Sequence, residues 1–392
     1  MGRQPSLTGT VLVLGPIEPP VGGVSRHCKS LVDLLRREGA GAVQLEPTRG
    51  PAGWAGLVER GIKKIAGRAI GTEMIPVARS IRRLRPCLVL DNQPPLWRDA
   101  AYARGTRLCI RVPYALAIHD GAFPGFVESL GDAARRRLAS ALERLSGVVC
   151  MSDPILEAVE RVAAGARAHR LDPLVSPRGG PQAQVTGELA AFFEAGGPVI
   201  SVSGALDPLY GIEELLEAFA ELRARGSRAR MVVLLGSFAR ERATSAALAG
   251  ARSRFGEKAI LVLADFPDGP GLIARSDVYV RPSRVDSFGI GLHEAMLAGV
   301  PVVAASHPTR PEGVLTYPPG DSGALARAIE SALTPESRSD AAALAPRILA
   351  MVEGNRRRTL EVLAELANTG TGALSAPGDA RDRAGCGPAG VR

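Results

Sequence analysis

The sequence of 392 residues contains few cysteine, histidine and aromatic side chains. Its five cysteines are an odd number, lie far apart and form no C-x-x-C pair. That pattern indicates reduced thiols and argues against a disulfide framework or a zinc site. The five histidines are scattered as well, and aromatic residues make up only 4% of the chain, which leaves few rings for stacking on nucleic-acid bases. We therefore expect no metal, no cofactor and no nucleic-acid partner.

Long hydrophobic runs are also missing. The longest apolar runs, such as Val199–Val202 and Met231–Leu235, have the length of a strand, whereas a membrane span needs about 20 apolar residues. The first ten residues lead directly into the apolar run Val11–Leu14, with no signal-peptide core and no cleavage site. We expect a cytoplasmic protein, or a peripheral one on the inner face of the membrane.

The charge balance is basic, with 48 Lys and Arg against 40 Asp and Glu, and a formal net charge of +8. This favours an anionic partner without choosing one. Basic and isoleucine residues alternate over residues 60–85, which predicts an amphipathic helix that could lie on an anionic membrane surface. The alternative is an ordinary solvated helix face. The basic residues of this region are Arg60, Lys63, Lys64, Arg68, Arg79, Arg82, Arg83 and Arg85.

Short β-branched runs alternate with longer stretches of helical period, which is typical of an α/β protein with parallel sheets. Ligands of such sheets bind beyond the carboxyl ends of the strands, so two consecutive domains of this kind enclose a cleft. We predict a Rossmann-like first domain over residues 9–175, a Pro/Gly-rich linker over 176–197, a Rossmann-like second domain over 198–340, a closing helix over 341–366 and a disordered tail over 367–392.

The most informative segment spans residues 279–306, where a strand, a loop and a helix follow one another. Backbone N–H groups of Phe288, Gly289 and Ile290 are predicted at the helix N-terminus, which suits phosphate or sugar oxygens. Asp286 in the loop and Glu294 in the helix are eight positions apart, so both carboxylates can face one cleft and accept hydrogen bonds from hydroxyl groups.

This segment resembles the acidic-x7-Glu motif of retaining GT-B glycosyltransferases, and glycosyltransferase family 4 in particular. The resemblance implies an α/β fold of GT-B type, with two Rossmann-like doubly wound domains facing a central cleft. It also implies sugar transfer from a nucleotide-diphosphate sugar to a glycan or lipid-linked acceptor, with retention of anomeric configuration and no metal. Glu294 would then hold the ribose hydroxyls and Asp286 the hydroxyls of the transferred sugar. Asp286 is shorter than the glutamate usual there.

Two further segments resemble the same family. Gly22 and Gly23 precede the predicted helix Val24–Glu38 and resemble the glycine-rich loop that lies against the donor diphosphate. His119 follows the predicted strand Leu116–Ile118 and resembles a histidine that approaches the donor sugar, where it would donate a hydrogen bond to a hydroxyl. The alternatives are an ordinary strand-to-helix turn and a loop histidine without a role.

The start of the second domain departs from the family. Ser203 and Gly204, at the end of its first strand, are predicted to lie beside the donor diphosphate. The arginine and lysine usual just beyond are replaced here by Ala205 and Tyr210. Losing two cations beside a dianionic leaving group is costly, because such charges stabilise the transition state directly.

Other cations could replace the missing ones. Arg281, Arg284 and Arg310 lie on or beside loops predicted to face the cleft, and Arg281 and Arg310 are our candidates for donor binding. The alternative function is a non-catalytic GT-B-like subunit that binds a nucleotide sugar or glycan and supports a partner enzyme. Ala205 and Tyr210 favour this alternative.

Overall fold

The computed structural model describes residues 7–18, 22–46, 74–92, 112–176, 187–240 and 242–372. These residues form two α/β domains, each built on a parallel sheet of six strands with helices on both faces. The predicted two-domain Rossmann-like architecture is confirmed. Residues 60–73 of the basic region, 177–186 of the predicted linker and 373–392 of the predicted tail lie outside the described part.

In the first domain the strands are β1 (Thr10–Leu14), β2 (Gly41–Leu45), β3 (Leu88–Asp91), β4 (Tyr114–Ile118), β5 (Gly147–Cys150) and β6 (Ala168–Arg170). The helices are α1 (Gly23–Arg37), α2 (Met74–Leu84), α3 (Phe123–Ser129), α4 (Asp132–Leu142) and α5 (Asp153–Val162). The sheet order is β2-β1-β3-β4-β5-β6. Val11, Leu12, Val13 and Leu14 are all fully buried, because helices cover both faces of a parallel sheet.

In the second domain the strands are β7 (Val199–Leu206), β8 (Arg230–Arg240), β9 (Ile260–Ala264), β10 (Val278–Arg281), β11 (Val302–Ala305) and β12 (Leu315–Tyr317). The helices are α6 (Glu188–Glu194), α7 (Ile212–Ala224), α8 (Arg242–Phe255), α9 (Gly269–Ala274), α10 (Ile290–Leu297) and α11 (Ser322–Ala332), with a 3-10 turn at Pro208–Tyr210. The sheet order is β12-β11-β10-β7-β8-β9. This order places β7 and β10 side by side at the centre, where their carboxyl ends face the first domain.

The predicted linker is structured in its second half. Helix α6 lies within residues 176–197, and its Phe192 is buried in the core of the second domain with Val199 and Val300. The apolar residues Leu189, Phe192 and Phe193 recur at helical spacing, and that spacing gives the short helix an apolar face. The second domain therefore begins before residue 198.

The closing helix is longer than predicted. Helix α12 spans Pro335–Gly372, so it begins before residue 341 and continues through residues 367–372, which were predicted to be tail. The Thr334 hydroxyl accepts a hydrogen bond from the backbone N–H of Ser337 and caps the first turn. Ile348 packs in the second domain and Leu363 in the first, so the helix joins the two cores.

Helix α2 carries the described part of the basic region. Its Val77, Ile81 and Leu84 pack against the first sheet, while Arg79, Arg82, Arg83 and Arg85 are exposed. The apolar face of this helix is therefore used within the protein, and contact of the basic region with an anionic membrane stays a prediction. No helix in the described ranges is both long and apolar enough to cross a membrane.

Candidate functional site

A cavity of about 230 Å³ lies between the carboxyl edges of the two sheets. The first domain contributes the first turn of α1 and the loop after β4, and the second contributes the ends of β7, β8 and β10 and the first turn of α10. Most of the predicted site residues meet at this cavity. Its walls include Gly22, Gly23, Arg26, His119, Ser203, Gly204, Ala205, Tyr210, Arg281, Asp286, Phe288, Gly289 and Ile290.

The N-terminus of α10 faces the cavity. The residue that caps it is a glycine, and another residue could not replace this glycine without strain. Gly289 caps the helix in the left-handed region, with φ 79°, and an added Cβ would lie 3.1 Å from Oδ2 of Asp286. The backbone N–H groups of Ile290 and Gly291 have no carbonyl partner within the helix, whereas that of Leu292 donates to the Gly289 carbonyl oxygen at 3.0 Å. They form a partly positive surface that can receive an anion or polar oxygens.

Asp286 is held by two arginines. Its Oδ2 lies 2.9 Å from Nε of Arg281 and 2.9 Å from Nη1 of Arg310, and its Oδ1 lies 3.3 Å from Nη2 of Arg281. Burial alone would raise the pKa of this carboxyl, but Arg281 and then Arg310 outweigh burial and lower the pKa to about 2. Asp286 is therefore ionised at any physiological pH, and its oxygens already accept hydrogen bonds before a ligand arrives.

Arg310 was predicted to contact the donor, but it lies behind the cavity wall. Its side chain is only 4% exposed. Besides Asp286, it donates to the carbonyl oxygens of Ala305 at 3.0 Å and Ser283 at 3.2 Å. Each nitrogen of its guanidinium thus donates one hydrogen bond to a protein oxygen, and these bonds hold the loop between β10 and α10 in place.

Arg281 reaches the cavity and lies beneath Tyr210. Its Nη1 donates to the carbonyl oxygen of Ser203 at 3.0 Å, and its guanidinium carbon lies 5.4 Å from the centroid of the Tyr210 ring, a cation–π distance. A Cβ on Gly204 would come within 2.7 Å of the same ring. Tyr210, which the sequence analysis compared with a lysine, thus places an aromatic ring over Arg281.

Glu294 is joined to the other domain. Its Oε2 lies 2.7 Å from Nη1 of Arg26 on α1. The Arg26 side chain is 18% exposed and lines the cavity, whereas the Glu294 side chain is 3% exposed and lies behind it. Burial raises the pKa of Glu294, and the attraction of Arg26 partly opposes that rise. Sequence reasoning missed Arg26, although Arg26 lies about one helical turn after Gly22 and Gly23.

His119 lines the cavity from the first domain. Its Nε2 lies 3.0 Å from Oδ1 of Asn92, at the end of the neighbouring strand. Its ring makes an edge contact with that of His27, with centroids 4.9 Å apart. Burial and then the His27 imidazole lower the pKa of His119 well below its ordinary value, so the ring is neutral. Among the described residues, no group of three or more His, Cys, Asp or Glu side chains could hold a metal ion.

The fold and this interdomain cleft define a protein of GT-B architecture. Residues 197–335, which include all six strands of the second domain, match the family model described as glycosyl transferases group 1. No curated protein sequence matches the chain.

Solved structures with the same fold include HepE from Anabaena in complex with UDP and glucose, at 18% sequence identity and a TM-score of 0.66, with 91% of this chain and 99% of that chain covered. A UDP-forming α,α-trehalose-phosphate synthase from Burkholderia xenovorans matches at 15% identity and a TM-score of 0.67, with 93% and 99% covered. A sucrose-phosphate synthase from Thermosynechococcus elongatus matches at 16% identity and a TM-score of 0.61, with 93% and 98% covered.

Proposed function

We propose that this protein transfers a sugar from a nucleotide-diphosphate sugar to a glycan or lipid-linked acceptor, with retention of anomeric configuration. The observation that carries the proposal is the convergence of distant motifs on one interdomain cavity: the glycines Gly22 and Gly23, His119 and the N-terminus of α10. The family match of the second domain supports it. HepE, whose fold is similar, is described in complex with UDP and glucose, so a UDP-sugar is the first donor to test.

The donor diphosphate would lie between the first turns of α1 and α10. Both helix N-termini favour negative charge there. Arg281 would supply the cation that Ala205 and Tyr210 do not, because its guanidinium lies under Tyr210 at the end of β10. Arg281 and Arg310 share the one carboxylate of Asp286, so this cluster keeps a net positive charge toward the leaving group.

The chemistry proposed here requires no protein nucleophile. The leaving phosphate takes the proton of the acceptor hydroxyl, and the protein contributes by positioning donor and acceptor and by stabilising the charge that develops on the diphosphate. In this scheme Glu294 binds the ribose hydroxyls, which would share or replace its contact with Arg26. The anomeric configuration of the product, read by NMR, tests retention: inversion would contradict this part of the proposal.

The acceptor would enter through a second depression, of about 720 Å³, between α3 and the loops that follow β10 and β11. Gly121 and Phe126 line it on one side, and Arg284, Val285 and His307 on the other. Val285 is 38% exposed and the Arg284 side chain 51% exposed, so the depression offers apolar and cationic surface together. If the acceptor binds here, Arg284→Ala should raise the KM for the acceptor and leave the KM for the donor unchanged.

A second candidate function is favoured by Ala205 and Tyr210, which line the cavity in place of cations. A non-catalytic subunit would bind a nucleotide sugar or glycan and support a partner enzyme without transferring the sugar itself. It would show nucleotide binding with neither transfer nor slow donor hydrolysis, whereas a transferase would release nucleoside diphosphate in the presence of its acceptor.

The deciding experiment is the thermal stability of the purified protein with a panel of nucleoside diphosphates and their sugars at millimolar concentration. A selective rise in melting temperature that Glu294→Ala abolishes would support the donor site and identify the nucleotide. Glu217→Ala, which removes an exposed glutamate on α7, is the matched control and should keep the rise. No rise with any ligand would contradict the proposed donor site.

A further inference from the structure

The carboxyl ends of β3 and β4 place two polar side chains together, one of which lies at the wall of the cavity. Asn92 directly follows β3 and is fully buried, and His119 directly follows β4. Oδ1 of Asn92 lies 3.0 Å from Nε2 of His119. A carbonyl oxygen can only accept a hydrogen bond, so Nε2 of His119 must carry a hydrogen.

The orientation of the Asn92 amide follows from its other neighbour. Nδ2 lies 3.5 Å from the carbonyl oxygen of Leu90. The contact is long, but it suits the amide N–H group as a donor and does not suit the amide oxygen, which can only accept. Rotating the amide would place Oδ1 against the Leu90 oxygen, two acceptors face to face. The amide group therefore directs Oδ1 toward His119.

The second imidazole of this cluster is fixed in the same way. Nδ1 of His27 accepts the backbone N–H of Leu174 at 2.9 Å, so the single hydrogen of a neutral His27 is on Nε2. Burial lowers the pKa of His27 to about 4, although the neighbouring Asn92 side chain raises this pKa by a smaller amount. Beside this neutral ring, His119 is neutral too and carries its one hydrogen on Nε2.

One nitrogen of His119 is then left for a ligand. Nδ1 has no hydrogen, and it has no partner among the described residues. His119 lines the donor cavity. In the tautomer that Asn92 selects, the imidazole offers the cavity a lone pair and not an N–H group.

We propose that Asn92 is a positioning residue that fixes His119 as the tautomer whose Nδ1 accepts a hydrogen bond from a hydroxyl of the donor sugar. This inference rests on the proposed function, and it reverses the direction of the hydrogen bond expected from the sequence alone. It also restricts the donor. The group facing His119 must carry a hydrogen, because a carboxylate or a fluorine there would set two acceptors against each other. A sugar with a free hydroxyl at that position is favoured over the uronic acid or the fluorinated analogue.

The tautomer can be read without any ligand, from the ¹⁵N chemical shifts of histidine-labelled protein, with the His119 signals assigned by their loss in His119→Gln. We expect a protonated Nε2 and an unprotonated Nδ1 for His119 at neutral pH. His293 is the internal reference, because its Nδ1 lies 3.2 Å from the Gly289 carbonyl oxygen and must carry the hydrogen. A hydrogen on Nδ1 of His119, or a doubly protonated ring, would overturn the proposal.

The variant Asn92→Leu removes the acceptor and keeps the approximate size of the side chain. We expect a mixture of His119 tautomers in its spectrum, with the His293 signals unchanged. An unaltered His119 tautomer in a folded Asn92→Leu protein would show that Asn92 does not select it. If Asn92→Leu does not fold, the wild-type spectrum still decides the tautomer.

Calorimetric titration tests the contact with the sugar. The Kd for the nucleoside diphosphate divided by the Kd for the corresponding nucleotide sugar gives the contribution of the sugar to binding. If about half of His119 keeps the accepting tautomer in Asn92→Leu, this ratio should fall by about twofold, with nucleoside diphosphate affinity unchanged. An unchanged ratio would refute the sugar contact. A wild-type protein that binds no nucleotide sugar would refute the proposed function, whereas the NMR result would still decide the tautomer.

Discussion

Replacing Arg26 by methionine tests the ion pair that joins the two domains. The pair is 2.7 Å long, and its side chains are 18% and 3% exposed for Arg26 and Glu294. Removing one partner of a buried pair leaves the other charge unpaired and costs about 3–5 kcal/mol. Since Arg26 retains some contact with solvent, we expect Arg26→Met to lower the free energy of unfolding by about 3 kcal/mol at pH 7.

The loss of stability in Arg26→Met should depend on pH, and the Glu294 carboxyl determines the direction of this dependence. Burial already raises its pKa above the ordinary 4.5, and Arg26 opposes that rise, so Arg26→Met should raise the pKa further. A carboxyl with a raised pKa holds its proton more tightly in the folded than in the unfolded protein. Stability is then lost as pH increases from about 4.5 through the folded pKa, and the penalty of the variant should be smaller at pH 5 than at pH 7.

Urea unfolding of the wild type, Arg26→Met, Glu294→Gln and the double variant measures the coupling between the two side chains. The double variant should be more stable than Arg26→Met alone, because no buried charge remains, and its stability should lose the added dependence on pH. Arg37→Met removes an exposed arginine of the same helix and should change stability by less than about 0.5 kcal/mol. A coupling energy below about 0.5 kcal/mol, or a penalty equal at both pH values, would refute the reasoning.

Urea unfolding also checks three further variants. Asp286→Asn should cost about 2 kcal/mol at neutral pH, since a pKa of about 2 against an ordinary 3.8 marks a stabilised carboxylate. The difference in unfolding free energy between the wild type and Asp286→Asn should shrink as pH falls from about 4 toward 2. Asp33→Asn, at an exposed position, should leave the unfolding free energy unchanged. Gly291→Ala should cost about 1–3 kcal/mol, because an added Cβ would come within 2.9 Å of both the Tyr279 and Ser203 hydroxyl oxygens. Ser203→Ala should cost about 1–3 kcal/mol, since it removes the 2.7 Å partner of the buried Tyr279 hydroxyl. Neutral results at Gly291 or Ser203 would contradict this packing.

The sequence was most informative where strands are apolar and fully covered. The strand, loop and helix predicted over residues 279–306 are observed there, where the strands Val278–Arg281 and Val302–Ala305 flank helix α10. Buried parallel strands consist of continuous β-branched or small apolar residues, and glycine and proline mark their ends. The same pattern placed the loop and helix between them, and thereby Asp286 and Glu294, at the carboxyl edge of the sheet.

Short elements escaped the sequence analysis. Strands β6 and β12 are three residues long, too short for a period to show, and half of their side chains or more are not buried. Helix α3 carries Pro124 and Gly125 in its first turns, and both residues have low helix propensity. These elements depend on the neighbours that they pack against, and a neighbour distant in the chain leaves no local signal.

The partners of the site residues could not be predicted for the same reason. Arg26 and Glu294 are 268 positions apart, and Asn92 and His119 are 27 apart. Sequence patterns identified the side chains that face the cleft, but not which of them bind one another. Arg310 illustrates this point: its hydrogen bonds to Ala305 and Ser283 hold it inside the second domain, and contact with the donor stays a prediction.

The charged and imidazole side chains predicted to bind the donor all have protein partners in the structure. Asp286 pairs with Arg281, Glu294 with Arg26 and His119 with Asn92. A buried charge or polar group without a partner is costly, so a cleft that must be stable before its ligand arrives needs such pairs. They differ in what a ligand must displace. The pairs within one domain can stay intact while Arg281 and the free nitrogen of His119 contact the donor. The pair between Arg26 and Glu294 spans the cleft, so the ribose binding that we propose at Glu294 should change the contact between the two domains.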